Sequence, residues 1–71
     1  MSQVHEELAK VYSVERLERL INSHQSSLTI FELQLARSTT PENKQNYIRE
    51  LKYINDQIYN LRSALYLKKY S

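Results

Sequence analysis

Residues 41–70 read PENKQNYIRELKYINDQIYNLRSALYLKKY, and this stretch decides the fold. Its apolar side chains recur at alternating intervals of four and three residues, at Tyr47, Leu51, Ile54, Ile58, Leu61 and Leu65. This spacing is typical of a helix that packs one narrow apolar seam against another helix. We therefore predict a long helix over about residues 41–69.

The residues on either side of Pro41 mark the clearest boundary in the chain. Thr40 supplies an N-cap, Pro41 suits the first helical position, and Glu42 places an acid in the first turn. We predict that the preceding helix ends at about residue 37 and that residues 38–40 form a turn. Because a turn this short brings the chain straight back, the two helices are expected to pack antiparallel.

A second heptad pattern occupies the chain before this turn. Its members are Val14, Leu17, Ile21, His24, Leu28, Phe31 and Leu35. We predict one long helix over about residues 3–37, with a bend near Ser13, where the phase of the pattern breaks. Before the bend, Val4, Leu8 and Val11 share one helical face.

The run NSHQSS, from Asn22 to Ser27, introduces an alternative. Its short polar side chains compete for backbone hydrogen bonds, so a loop here would divide the first helix and give a three-helix protein. The heptad pattern continues through the run in phase, which favours an unbroken helix. Our prediction is an all-α fold, an antiparallel helical hairpin in which facing residues have numbers that add to roughly 75 to 82.

The composition limits both the fold and the class of function. Seventy-one residues predict a single domain, residues 1–71, whose stability as a lone monomer is marginal. Cysteine and glycine are absent, which excludes disulfides and argues against thiolate metal sites, tight β-turns and glycine-rich phosphate loops. The uncharged run from Ile21 to Phe31 is too polar to span a bilayer, and no secretory signal pattern opens the chain. We expect a cytoplasmic protein without membrane association.

Four apolar residues lie outside both seams, and they are Leu20, Ile30, Leu33 and Ile48. Ile30 and Leu33 make the end of the first helix near the turn apolar on nearly all sides. Such a helix needs burial on more than one side, which a two-helix hairpin does not supply. Scattered exposed apolar side chains are also ordinary on protein surfaces. We favour a second interface and predict a homodimer that forms a four-helix bundle.

Five of the six tyrosines lie in the second helix, and four of these fall outside the seam. The candidates for partner binding are Tyr53, Tyr59, Tyr66 and Tyr70, together with Lys52 and Lys69. Tyrosine is enriched at binding surfaces, so these rings either form a docking face for a protein or cover the dimer partner and their own helix. A nucleic-acid face is a further alternative, which the net charge of only +2 weakens.

The histidines and acidic residues of the sequence do not form a recognisable catalytic or metal-binding motif. His24 occupies a d position, where we predict a hydrogen-bonded core histidine; a pH switch and phosphotransfer are the alternatives. His5 and Glu6 begin like an HExxH zinc motif, but Ala9 stands in place of the second histidine. We assign no catalytic, cofactor-binding or metal-ligating residue.

These patterns together predict a small non-enzymatic interaction protein. As an adaptor, inhibitor or regulator, it binds a larger, unidentified protein through a helical face. The alternative is a small nucleic-acid-binding helical dimer. Phosphate contacts make binding steeply dependent on salt, so a salt titration distinguishes the two.

Overall fold

The structure is a computed structural model that describes residues 3–70. These residues form three helices in the order α1 (Gln3–Val11), α2 (Val14–Arg37) and α3 (Pro41–Tyr70). The prediction of an all-α protein is confirmed. The prediction of two helices is corrected to three, because α1 and α2 are separate elements.

α3 is the longest helix and sets the dimensions of the described chain. Its 30 residues span about 45 Å at a rise of 1.5 Å per residue. The longest principal extent of the structure is 46 Å, and the other two are 21 Å and 16 Å. The shorter helices therefore lie alongside α3 and do not extend past its ends.

Side-chain caps mark the starts of α2 and α3. The Oγ of Ser13 accepts a hydrogen bond from the backbone N–H of Arg16 at 3.1 Å. The Oγ1 of Thr40 accepts one from the backbone N–H of Asn43 at 3.3 Å. Each cap satisfies a donor that has no partner within its own helix. α3 begins at Pro41, where the sequence pattern places the boundary.

α2 and α3 pack side by side and run in opposite directions. Near the turn, the rings of Phe31 and Tyr47 have centroids 6.1 Å apart. Toward the other end, both helices contribute to one buried cluster, made of Leu17, Ile21, Leu61 and Ala64. The two heptad seams thus face each other along this pair of helices.

The polar run from Asn22 to Ser27 lies inside α2, which continues through it as a helix. The loop considered for this run does not form. His24 is half-buried and forms no hydrogen bond with any residue that the structure describes. The prediction of a hydrogen-bonded core histidine is therefore wrong for His24.

α1 does not extend α2, as the prediction of one long helix requires, but folds back beside α3. His5 of α1 bonds to Asn60 of α3, and further along both helices Ala9 bonds to Lys68. Residue numbers rise together along the two helices, so α1 runs in the same general direction as α3. The bend predicted near Ser13 is a chain reversal at residues 12–13.

The face of α1 that packs inward also differs from the predicted one. Val4 and Val11 were assigned to that face, yet their side chains are 50% and 73% exposed. The residues that pack inward are His5, Leu8, Ala9 and Tyr12. This set has helical spacing too, but it includes a histidine and an alanine, which a search for apolar periodicity discounts.

The core is small and lies toward one end of α3. Its buried apolar residues are Leu17, Ile21, Ile54, Ile58, Leu61 and Ala64. Leu17 and Ala64 are fully buried, and half-buried residues of α1 pack against the same cluster. All three helices therefore meet here. Full burial of a leucine side chain contributes about 1.5–3 kcal/mol.

Leu17→Ala should lower the free energy of unfolding by about 2–5 kcal/mol, because it empties a fully buried site. Leu33→Ala is the matched control on the same helix, since Leu33 is exposed, and we expect a change within about 0.5 kcal/mol. Urea unfolding followed by circular dichroism at low protein concentration measures both. Equal losses in the two variants would show that the core lies elsewhere.

Candidate functional site

An open groove runs along α3 beside the beginning of α1. Its volume is about 580 Å³. The residues that line it are His5 of α1 and Asn55, Ile58, Tyr59, Arg62, Ser63, Tyr66 and Leu67 of α3. We call this site the α3 groove. It is the candidate functional site because it combines an apolar surface with a few polar groups.

The side chains that line the α3 groove differ in exposure. Ile58 is buried and Leu67 is half-buried. Tyr59 and Tyr66 are 61% and 65% exposed and form the rim. They are seven residues apart, so they project in the same direction about 10 Å apart along the helix. The rim therefore presents two exposed aromatic rings, with the less exposed apolar side chains of Ile58 and Leu67 on either side of them.

His5 forms the α1 wall of the groove and is the one buried polar residue among residues 3–70. Its Nε2 donates a hydrogen bond to the Oδ1 of Asn60 at 2.9 Å. Its ring also meets the ring of Tyr59 edge to face, with centroids 5.6 Å apart. Such aromatic pairs contribute about 0.5–1.5 kcal/mol beyond their buried area. His5 thus attaches α1 to α3 and orients one ring of the rim.

The other end of α1 is attached to α3 by Lys68. The Nζ of Lys68 donates a hydrogen bond to the backbone carbonyl of Ala9 at 2.6 Å. Ala9 lies in the last turn of α1, where carbonyls lack partners within the helix and favour a cation. The two hydrogen bonds hold α1 at both ends, which fixes the position of the groove wall.

Arg62 lies between Tyr59 and Tyr66 on the groove and is exposed. Its guanidinium forms no hydrogen bond or ion pair with any residue from 3 to 70. A guanidinium carries five N–H donors in a planar fork that matches a carboxylate or a phosphate. The groove therefore offers a free cationic donor set beside its aromatic rim.

The predicted partner-binding residues divide into two groups. Tyr59 and Tyr66 line the α3 groove, and Tyr70 lies against Tyr66 with ring centroids 4.8 Å apart. The remaining candidates are exposed on α3 outside the groove lining, and they are Lys52, Tyr53 and Lys69. The groove thus includes some of the predicted partner-binding residues, and the others lie on the exposed surface of α3.

The predicted oligomer-interface residues also differ among themselves. Ile30, Leu33 and Ile48 are each about half exposed. Leu20 is half-buried and packs against the core cluster, so less of its surface is available to another chain. The exposed members of this predicted set therefore lie toward the 38–40 turn, away from the core.

Sequence reasoning missed His5, Asn60 and Arg62 as parts of one site. His5 completes the inward face of α1 with Leu8 and Ala9, a spacing that was present in the sequence. Arg62 follows Tyr59 by three residues, so their helical separation already placed them side by side. Asn60 had no such signal, because its partner lies 55 residues away in the chain.

Within the described residues, no three His, Asp or Glu side chains come together as metal ligands. None of the three helices described here has both the length and the apolar character needed to cross a membrane. The chain matches no protein-family model, no curated protein and no solved structure.

Asn60→Ala should loosen α1 from α3, because it leaves the buried nitrogen of His5 without its partner. A lost buried partner costs about 1–3 kcal/mol, and the nine residues of α1 are too few for a stable isolated helix. We expect amide hydrogens of α1 to exchange roughly 5-fold faster or more, while those around Leu17 keep their protection. Hydrogen exchange followed by NMR measures both regions.

Asn55→Ala is the matched control for this experiment. Asn55 lies on the same helix and lines the groove, but it does not bond to His5. Exchange in α1 should stay at the wild-type rate in this variant. An α1 that exchanges at the wild-type rate in Asn60→Ala as well would rule out the attachment through His5.

Proposed function

We propose that this chain is a small non-enzymatic interaction protein, an adaptor, inhibitor or regulator that binds a larger protein in the cytoplasm. The observation that carries the proposal is the exposure of Tyr59 and Tyr66 at the rim of the α3 groove. Tyrosine and arginine are the residue types, along with tryptophan, that most often dominate binding energy at protein interfaces. Arg62 lies between the two rings, so the groove concentrates these types.

The rigidity of the rim supports the same proposal. Its residues all belong to one continuous helix of 30 residues, and the α1 wall is attached through His5 and Lys68. A surface that is already ordered loses less conformational entropy when a partner binds. The tyrosine side chains also have few rotatable bonds, which lowers that cost further.

We also propose that two copies associate through the ends of their α2–α3 hairpins near the 38–40 turn, so that α2 and α3 of both copies form a four-helix bundle. The support is the exposed apolar surface of Ile30, Leu33 and Ile48. Such a surface on a small protein marks an interaction site when it is contiguous. It lies toward the 38–40 turn, whereas the α3 groove lies toward the other end of α3. A dimer formed through this surface leaves the groove open to a partner.

Tyr66→Ala should weaken partner binding and leave the helices intact. Tyr66 is exposed and its ring contacts Tyr70 rather than the core. Truncation of a hot-spot aromatic costs about 2 kcal/mol or more, which is roughly 30-fold in affinity. The tagged protein is used as bait in a lysate of its native cell or host, captured proteins are identified by mass spectrometry, and circular dichroism checks helicity.

Tyr53→Ala is the matched control, because Tyr53 is a similarly exposed tyrosine of α3 outside the groove lining. It should capture the same partner as the wild type. A partner kept by Tyr66→Ala, or lost equally in both variants, would argue against binding at the groove. Capture of nucleic acid with a steep salt dependence would support the nucleic-acid alternative instead.

Leu33→Glu and Ile30→Glu should each shift the protein from dimer to monomer at micromolar concentration, because they place a charge in the proposed second interface. Sedimentation equilibrium measures the association constant. Val11→Glu is the control, since Val11 is also exposed but belongs to α1. A wild-type protein that is monodisperse and monomeric at high concentration would refute the dimer.

A further inference from the structure

The charges near the α3 groove point to the chemistry of its occupant. From Asn55 to Tyr70, the charged residues of α3 are Asp56, Arg62, Lys68 and Lys69, and the one acid, Asp56, does not line the groove. Lys68 is engaged by the carbonyl of Ala9, whereas Arg62 is free of protein partners among residues 3–70. Arg62 is also the one arginine or lysine that lines the groove, and no acid lines it. The groove is therefore complementary to a negative charge beside an apolar group.

The length of the groove matches about three turns of a helix. Its lining residues on α3 extend from Asn55 to Leu67, which is about 18 Å at 1.5 Å per residue. An amphipathic helix places apolar anchors at i, i+3 or i+4, and i+7, which span about 10 Å and therefore fit within the groove. A partner helix of two to three turns thus fits the available surface.

The backbone of α3 excludes recognition by strand addition. A peptide that binds as an added strand needs unpaired backbone N–H and C=O groups at a sheet edge. The described residues of this part of the chain are helical, so their backbone groups bond within the helix. Recognition at the groove must therefore use side chains, as between two packed helices.

We propose that the α3 groove binds an acidic amphipathic helix of a partner protein, a proposal that rests on the function proposed above. Apolar side chains of the partner helix pack against the rings of Tyr59 and Tyr66. A carboxylate on the next turn of that helix accepts two hydrogen bonds from the guanidinium of Arg62. The rings exclude water from the pair, which strengthens it relative to an exposed ion pair.

A nucleic-acid strand fits the groove less well. Proteins that bind single strands follow the phosphates with a series of cations and stack successive bases on aromatic rings. The lining offers two exposed rings but a single permanent cation, Arg62. His5 uses its Nε2 on Asn60 and is buried, so it adds no contact for a phosphate. The groove chemistry favours one carboxylate beside apolar contacts.

A display selection tests the charge preference without knowledge of the natural partner. The probe is a library of 16-residue peptides displayed on phage, with helix-favouring residues fixed and the remaining positions random. The full-length wild-type protein should enrich peptides that are net acidic and have apolar residues spaced at i, i+3 or i+4, and i+7. Selection on Arg62→Glu should enrich peptides whose net charge is neutral or basic.

Arg49→Glu is the matched control, because Arg49 is an exposed arginine of α3 outside the groove lining. It should enrich the same acidic peptides as the wild type. An enriched acidic peptide is then synthesised with a fluorescent label, and its anisotropy is measured with each variant. We expect the affinity to fall at least tenfold for Arg62→Glu and for Tyr66→Ala, and less than twofold for Arg49→Glu.

Several outcomes would overturn the inference. The first is a selection that enriches no peptide. The second is a set of enriched peptides that are not net acidic. The third is an acidic peptide that binds Arg62→Glu and the wild type with equal affinity. A labelled 20-residue oligothymidylate that binds the wild type more tightly than the selected peptide would also overturn it. Circular dichroism of each variant confirms that the helices are retained, so a lost fold is not mistaken for a lost contact.

Failure of this inference is distinguishable from failure of the proposed function. If capture from the lysate depends on Tyr66 but is unchanged in Arg62→Glu, the proposed function stands and the proposal of an acidic partner helix is wrong. If capture does not depend on Tyr66, the groove is not the docking site, and both proposals are wrong.

Discussion

The meeting of three helices at Leu17 and Ala64 is the contact on which the rest of the structure depends. Both side chains are fully buried, and residues from α1, α2 and α3 surround them. Alanine at position 64 is small, so the neighbouring helices approach α3 closely at this point. Because α1 packs here, His5 reaches Asn60 and the wall of the α3 groove is formed. The groove is a consequence of the core and not an independent surface feature.

The parts of the fold that could be predicted are those that local patterns encode. A heptad pattern identifies which side of a helix is buried, so the pairing of α2 with α3 followed from the sequence. Thr40 before Pro41 identified the start of α3, since an N-cap depends only on adjacent residues. The direction of α1 could not be predicted, because periodicity does not determine where the chain goes after a break. The sequence located the break near Ser13 but did not determine the angle between the helices on either side of it.

The aromatic side chains of the candidate site could be identified from the sequence. Tyr59 and Tyr66 were identified because they lie outside the seam, and a helix residue outside the seam points away from its partner. The position of His5 in the site required the tertiary structure, since His5 and its partner Asn60 are 55 residues apart in the chain. Arg62 was visible as a charge between the two rings. Its role emerges only when the wall beside it is present and its guanidinium is seen to be free of protein partners.

The uneven distribution of burial along α3 divides the molecule into parts of different local stability. The buried side chains of α3 all lie between Ile54 and Ala64, and those of α2 are Leu17 and Ile21. The segments on either side of the 38–40 turn have only half-buried contacts, such as that between Phe31 and Tyr47. Regions with little buried apolar surface open at lower free energy than the core does. We therefore expect the turn end to open at lower free energy than the core, and a chain that packs onto the turn end would add the buried surface that this end lacks.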